Sequence, residues 1–170
     1  MTFAKVGVVL VISIVLQISL FVDVRVAGVA PELLALVAVL AGFLAGPERG
    51  ATVAFCAGLV WDVWLPTPLG LAAISFAIVA FAMGSIEAGL FHDSRLQVAG
   101  LAFLGTFAAV LSYALLGEVV GQRGLVDLEL LRVASIAGLL NALIAPIMAR
   151  PMRWALRTRT TFGAAAPTRS

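Results

Sequence analysis

The sequence predicts an all-α membrane protein, a compact bundle of six transmembrane helices. Of the 170 residues, 62% are hydrophobic and 12% are charged, whereas a soluble domain is roughly 45–50% apolar and about 25% charged. The apolar residues also fall into separate long runs, with short polar or proline-containing turns between them. Helices are the natural structure for such runs, because in lipid each backbone polar group must be satisfied within the segment.

The apolar runs define the predicted domain organisation. The first run is longer than the about 7–15 residues of a signal-peptide core, so we expect it to remain as a helix. We expect a six-helix transmembrane domain over residues 1–152 and a basic, disordered cytoplasmic tail over 153–170. The predicted spans are 6–22, 31–45, 50–64, 69–86, 96–116 and 133–149.

The stretch 50–70 is where we expect the functional centre. Gly50, Ala54 and Gly58 are four residues apart, so they share one helix face and allow close helix packing in lipid. Asp62 continues this series, and an ionisable residue inside a span is a candidate functional residue. Prolines then end the helix. The predicted helix-packing or partner-binding residues after Asp62 are Pro66, Pro68 and Gly70, together with Asn141 in the sixth span.

The polar residues favour packing and partner binding over chemistry. Asn141 is expected to form an interhelical hydrogen bond. For Asp62 a structural role and a proton or substrate role both remain open, and Asp62→Asn should be milder than Asp62→Ala if neutral hydrogen bonds suffice. Cys56 and His92 each occur once, which excludes a metal site built from several of them. Without a nucleophile motif or a phosphate loop, the sequence predicts no enzyme and no cofactor.

The basic residues predict the orientation in the membrane. Cytoplasmic loops carry an excess of Lys and Arg, and a cytoplasmic N-terminus puts eight of the 11 basic residues inside. Both termini are therefore expected in the cytoplasm, in a multi-pass protein of the cell (inner) membrane. The partner that this charge indicates is membrane lipid and not nucleic acid. The inside set is Lys5, Arg49, Arg95, Arg150, Arg153, Arg157, Arg159 and Arg169, and the outside set is Arg25, Arg123 and Arg132.

The chain resembles the MreD family of rod shape-determining membrane proteins. Residues 31–34 read PELL at the start of the second span, where the family usually has PDL, and a glycine-rich turn follows at 46–50. The length and the six predicted spans also resemble that family. The strongest part of the resemblance is the series Phe55, Gly58, Leu59, Asp62, Pro66, Pro68, Leu69 and Gly70.

The resemblance implies a non-enzymatic membrane scaffold of the cell-elongation machinery, which acts in rod shape and peptidoglycan synthesis. The implied partners are an MreC-like protein and, with it, the wall synthases and the actin-like cytoskeleton. The family is also similar in architecture to the substrate-binding S-components of energy-coupling-factor transporters. The alternative function is therefore a small-molecule-binding membrane subunit of such a transporter, with a pocket capped by the loops around Asp62 and 118–131.

Overall fold

The structure is a computed structural model that describes residues 3–19, 25–87, 95–122 and 124–156. Within these ranges the regular elements are helices, apart from an isolated antiparallel bridge between Val26 and Val29. The number of helices equals the number predicted. They are α1 (Phe3–Ser19), α2 (Leu33–Ala45), α3 (Pro47–Asp62), α4 (Leu71–Glu87), α5 (Arg95–Val119) and α6 (Leu128–Leu156).

Helix α2 is the centre of the bundle, because it contacts each of the other helices. Every residue from Leu33 to Phe43 is buried. The α2 sequence LLALVAVLAGFLA has no polar face, so each side of the helix can pack against a neighbouring helix. Helix α3 packs against both α2 and α4, and α5 pairs with α6. The bundle is therefore built around α2, although the sequence points first to residues 50–70.

The helices differ greatly in length. At about 1.5 Å per residue, the 13 residues of α2 extend about 20 Å, and the 29 residues of α6 extend about 43 Å. Helices α5 and α6 are long and apolar enough to cross a membrane, whereas α1, α2 and α4 are shorter apolar helices. The all-helical fold class is confirmed, and six complete membrane crossings stay a prediction.

The second predicted span starts later than the sequence indicates, at Leu33 and not at Pro31. The side chain of Gln17 explains this, because its Nε2 donates to the Pro31 carbonyl (2.9 Å) and its Oε1 accepts from the Leu33 amide (2.8 Å). These bonds hold the chain in a non-helical conformation just before α2. Glu32 therefore precedes the helix and does not belong to its first turn.

Helix α6 extends beyond the predicted span at both ends. It starts at Leu128, where Asp127 Oδ1 accepts a hydrogen bond from the Leu130 amide (2.9 Å), as a helix N-cap residue does. It continues to Leu156 through two internal prolines. Residues 153–156 of the predicted tail are thus helical, and the rest of that tail lies outside the described residues.

The two ends of the bundle can be told apart by their side chains. Lys5 Nζ lies 4.7 Å from the ring centroid of Trp154, so the start of α1 lies beside the end of α6. We call this the basic end, and the opposite end, with the 63–70 turn, the turn end. The predicted loop positions His92, Arg123, Arg157, Arg159 and Arg169 lie outside the described residues.

Candidate functional site

The small residues of α3 lie where helix backbones touch. Gly50, Ala54 and Gly58 are all buried. A Cβ atom placed on Gly50 would lie 2.4 Å from the Cα of Gly42 in α2, and one on Gly58 would lie 2.4 Å from the Cα of Ala73 in α4. These distances leave no room for a side chain at either glycine. One face of α3 therefore lies directly against the backbones of α2 and α4.

Asp62, at the end of that face, binds the start of α4. The residue is buried, and both of its carboxylate oxygens accept hydrogen bonds. Oδ2 accepts from the amides of Gly70 (2.9 Å) and Ala73 (3.2 Å), and Oδ1 accepts from the amide of Ala72 (2.9 Å). The first amides of a helix have no partner inside the helix, and its dipole favours negative charge there. The Asp62 carboxylate therefore closes the 63–70 turn onto α4.

The 63–70 turn is fixed to three helices. Pro66 and Pro68 are exposed in it, and each prevents a helical hydrogen bond. Gly70 has a φ of +99°, a left-handed conformation that glycine adopts without steric cost. The hydroxyl of Tyr113 donates to Thr67 Oγ1 (2.9 Å), which ties the turn to α5. The turn that the prolines predict is thus held by α3, α4 and α5 together.

Asn141 lies at a junction of helices near the turn end. The residue is fully buried, and its Nδ2 donates to the backbone carbonyl of Glu32 (2.9 Å) and to Thr106 Oγ1 (3.0 Å). These partners belong to the start of α2 and to α5. The side chain of Gln17, from α1, binds the neighbouring Pro31 carbonyl. Side chains from three helices therefore meet where α2 begins.

A cavity of about 470 Å³, which we call the outer cavity, lies at this junction. Its lining includes Glu32, Trp61, Trp64 and Arg25. A smaller cavity of about 50 Å³ is also lined by Glu32 and Trp61. The Glu32 carboxylate accepts no hydrogen bond from the residues that the structure describes. The outer cavity therefore combines aromatic walls with one acidic and one basic side chain.

Sequence reasoning missed Glu32, Gln17 and Thr106. A signal exists for the first two, because each is a polar residue in or beside an apolar run, where such residues have a specific partner or role. In the sequence, Glu32 reads as a first-turn carboxylate that interacts with the helix dipole. Thr106 carries no signal of its own, since a threonine hydroxyl can bond to its own helix backbone.

Within the described ranges, no group of three or more His, Cys, Asp and Glu side chains is arranged to hold a metal ion. Cys56 is exposed on α3.

Two helices of membrane-spanning length and polar side chains bonded at helix ends are features of a helical membrane protein. The chain matches the family described as rod shape-determining protein MreD over residues 1–159. It belongs to the MreD family, as the resemblance of its motifs implies. No curated protein and no solved structure matches it.

Proposed function

We propose that this protein is a non-enzymatic scaffold of the cell-elongation machinery, with six membrane spans and both termini in the cytoplasm. Membership of the MreD family supports the role in rod shape. The excess of basic residues on one side supports the orientation. The contact between Lys5 and Trp154, which joins the first and last helices at one end, supports an even number of crossings.

The observation that carries this proposal is the use of the buried polar side chains. Asp62, Asn141 and Gln17 each bind backbone groups at the start of a helix. Each of these hydrogen bonds fixes one helix against another. Such a bundle presents a preorganised surface, and preorganisation lowers the cost of binding a partner.

We place the docking of a partner at the outer cavity. Trp64 is 60% exposed and Trp61 is partly buried, and tryptophans are enriched among the residues that dominate binding energy. The Glu32 carboxylate has no donor among the described residues, and burying a carboxylate without one is costly. A partner segment with an apolar surface and a basic or hydrogen-bond-donating side chain would supply that donor. The partner we propose is an MreC-like protein, with the wall synthases recruited through it.

Affinity purification from the native membrane tests the proposal. Glu32→Gln keeps the shape and removes the charge, so recovery of the MreC-like protein should fall about tenfold or more at unchanged membrane abundance. The matched control is Glu129→Gln, because that side chain is 74% exposed and does not line the cavity. Unchanged recovery with Glu32→Gln would remove the outer cavity from the proposal. Absence of elongation proteins from the wild-type eluate would overturn the scaffold itself.

The match to the MreD family gives no support to the alternative that this chain is a transporter subunit. The same purification still separates the two functions, because the outer cavity is within the range of about 300–1,000 Å³ that ligand pockets occupy. An ATPase module in the wild-type eluate, with a small molecule that is lost in Glu32→Gln, would favour the transporter subunit.

A further inference from the structure

A second large cavity lies at the basic end, between α5 and α6. Its volume is about 350 Å³, and we call it the basic cavity. Arginines from both helices line it, with Arg95 at the start of α5 and two more near the end of α6. The residues that matter for binding are Arg95, Arg150 and Arg153, with Val98, Pro146 and Ile147.

Among the described residues, no acidic side chain neutralises the charge of this cavity. None of its three arginines forms a hydrogen bond or an ion pair with the residues that the structure describes. Arg150 and Arg153 are three residues apart, so they lie on one face of α6. Residues that only set membrane orientation need not converge on a common cavity. Three arginines that line one cavity are suited to an anion, and to phosphate in particular, because arginine binds phosphate oxygens in pairs.

The surface beside the basic cavity is apolar in a way that suits an acyl chain. Leu139, Leu143 and Ile147 are four residues apart on α6, so they form one line along the helix. They are 58%, 76% and 71% exposed. Ile147 belongs both to this line and to the cavity lining. A ligand that fills the cavity with an anionic group and covers this line must be amphiphilic, which favours a phospholipid over a free phosphate or an acidic peptide.

We propose that the basic cavity binds the phosphate headgroup of an anionic phospholipid, with one acyl chain along Leu139, Leu143 and Ile147. Basic pockets between transmembrane helices on the cytoplasmic side suit such headgroups. The site is independent of the outer cavity and of the partner proposed for it. The site makes the protein prefer anionic phospholipids, a preference that its net charge alone does not explain.

Native mass spectrometry and thermal unfolding of the full-length protein test this site. The probes are phosphatidylglycerol, cardiolipin and phosphatidylcholine in nanodiscs, and inorganic phosphate or a glutamate-rich peptide added to the protein in phosphatidylcholine. The two anionic lipids should stay bound and raise the unfolding midpoint. The double variant Arg150→Gln with Arg153→Gln should bind the anionic lipids about 25-fold more weakly, because each arginine contributes about fivefold.

Two further variants keep the test decisive. Arg95→Gln removes one charge from the other helix and should weaken binding about fivefold, even if the double variant fails to fold. Arg132→Gln removes an exposed arginine outside the cavity lining and should leave binding unchanged. Wild-type binding by the double variant and by Arg95→Gln would overturn the site. An equal loss in Arg132→Gln would do the same, and stabilisation by phosphate or the peptide to the level of the lipids would overturn the lipid as the ligand.

Discussion

The Nδ2 atom of Asn141 donates a hydrogen bond of 2.9 Å to the backbone carbonyl of Glu32, 109 residues earlier in the chain. The same carbonyl accepts the first helical hydrogen bond of α2, from the Leu36 amide at 3.0 Å. One backbone oxygen thus joins the start of the central helix to the last helix. The position of α2 along α6 depends on this contact.

Replacing Asn141 by alanine tests that dependence. Asn141→Ala removes the hydrogen bonds to Glu32 and Thr106, and it should lower the free energy of unfolding by about 1–3 kcal/mol. The control is Leu143→Ala on the same helix, where the side chain is 76% exposed. Denaturant unfolding in detergent gives both values. A loss no larger than that of Leu143→Ala would show that the junction contributes little.

Asp62→Asn should be nearly as harmful as Asp62→Ala, in contrast to the mild effect that the sequence suggests for neutral hydrogen bonding. Both carboxylate oxygens accept amide hydrogens, and asparagine must turn an NH₂ group toward one set of these donors. We expect a loss of about 1–3 kcal/mol for each variant, measured as membrane abundance and unfolding midpoint.

The matched control is Asp127→Asn. Asp127 caps α6 at an exposed position through one amide, and asparagine is an equally good cap. It should therefore match the wild type. If Asp62→Asn also matched the wild type, the negative charge of Asp62 would be irrelevant to folding.

Gly58→Ala should destabilise the bundle, although it adds only one methyl group. That methyl would lie 2.4 Å from the Cα of Ala73, a backbone atom that cannot turn away. Overpacking of this kind costs typically about 1–3 kcal/mol. Gly100→Ala is the matched control, because nothing lies within 4 Å of its added Cβ and alanine favours the helix. Equal stability of the two variants, compared by thermal unfolding, would contradict the close contact of α3 with α4.

Cysteine labelling in intact cells tests the topology. In a Cys56→Ala background, Val126→Cys should react with an impermeant reagent, because the loop between α5 and α6 is predicted outside and Val126 is 49% exposed. Arg49→Cys, in the first turn of α3 on the side predicted to be cytoplasmic, should react only after the membrane is permeabilised. Labelling of both positions from one side would exclude the six-span arrangement, and a reversed pattern would invert the orientation.

The elements that the sequence does predict are the ones with a local pattern. The order of the helices follows from apolar runs bounded by charges and prolines. The close-packed face of α3 follows from glycine and alanine at a spacing of four. The turn after Asp62 follows from Pro66 and Pro68, which cannot donate amide hydrogens.

The central position of α2 has no such local pattern. Lipid tails are as apolar as leucine, so hydropathy does not separate a helix that faces lipid from one that faces other helices. The sequence does not reveal the hydrogen-bond partners of Asn141 either, since Thr106 is 35 residues away in the chain and Glu32 is farther still.

Glu118 shows the same limit in another turn. Its Oε1 accepts from the amides of Gly124, Leu125 and Val126, at 2.9, 3.1 and 3.3 Å. In the sequence it is only a charged residue at the end of an apolar run. The structure shows it as a second carboxylate that binds several amides of a turn, as Asp62 does.

The spacing of the polar contacts along the chain sets an order for assembly during synthesis. The partners of Gln17, at Pro31 and Leu33, follow only 14 and 16 residues later, so this contact between α1 and the start of α2 can form early in synthesis. Asn141 emerges 109 residues after Glu32, a delay on the order of 5–20 s at ribosomal speed. Until α6 is made, the Thr106 hydroxyl lacks its partner Asn141, and the outer cavity lacks the part of its wall that α6 supplies. The nascent protein therefore stays open on one side, and the arrival of α6 completes it.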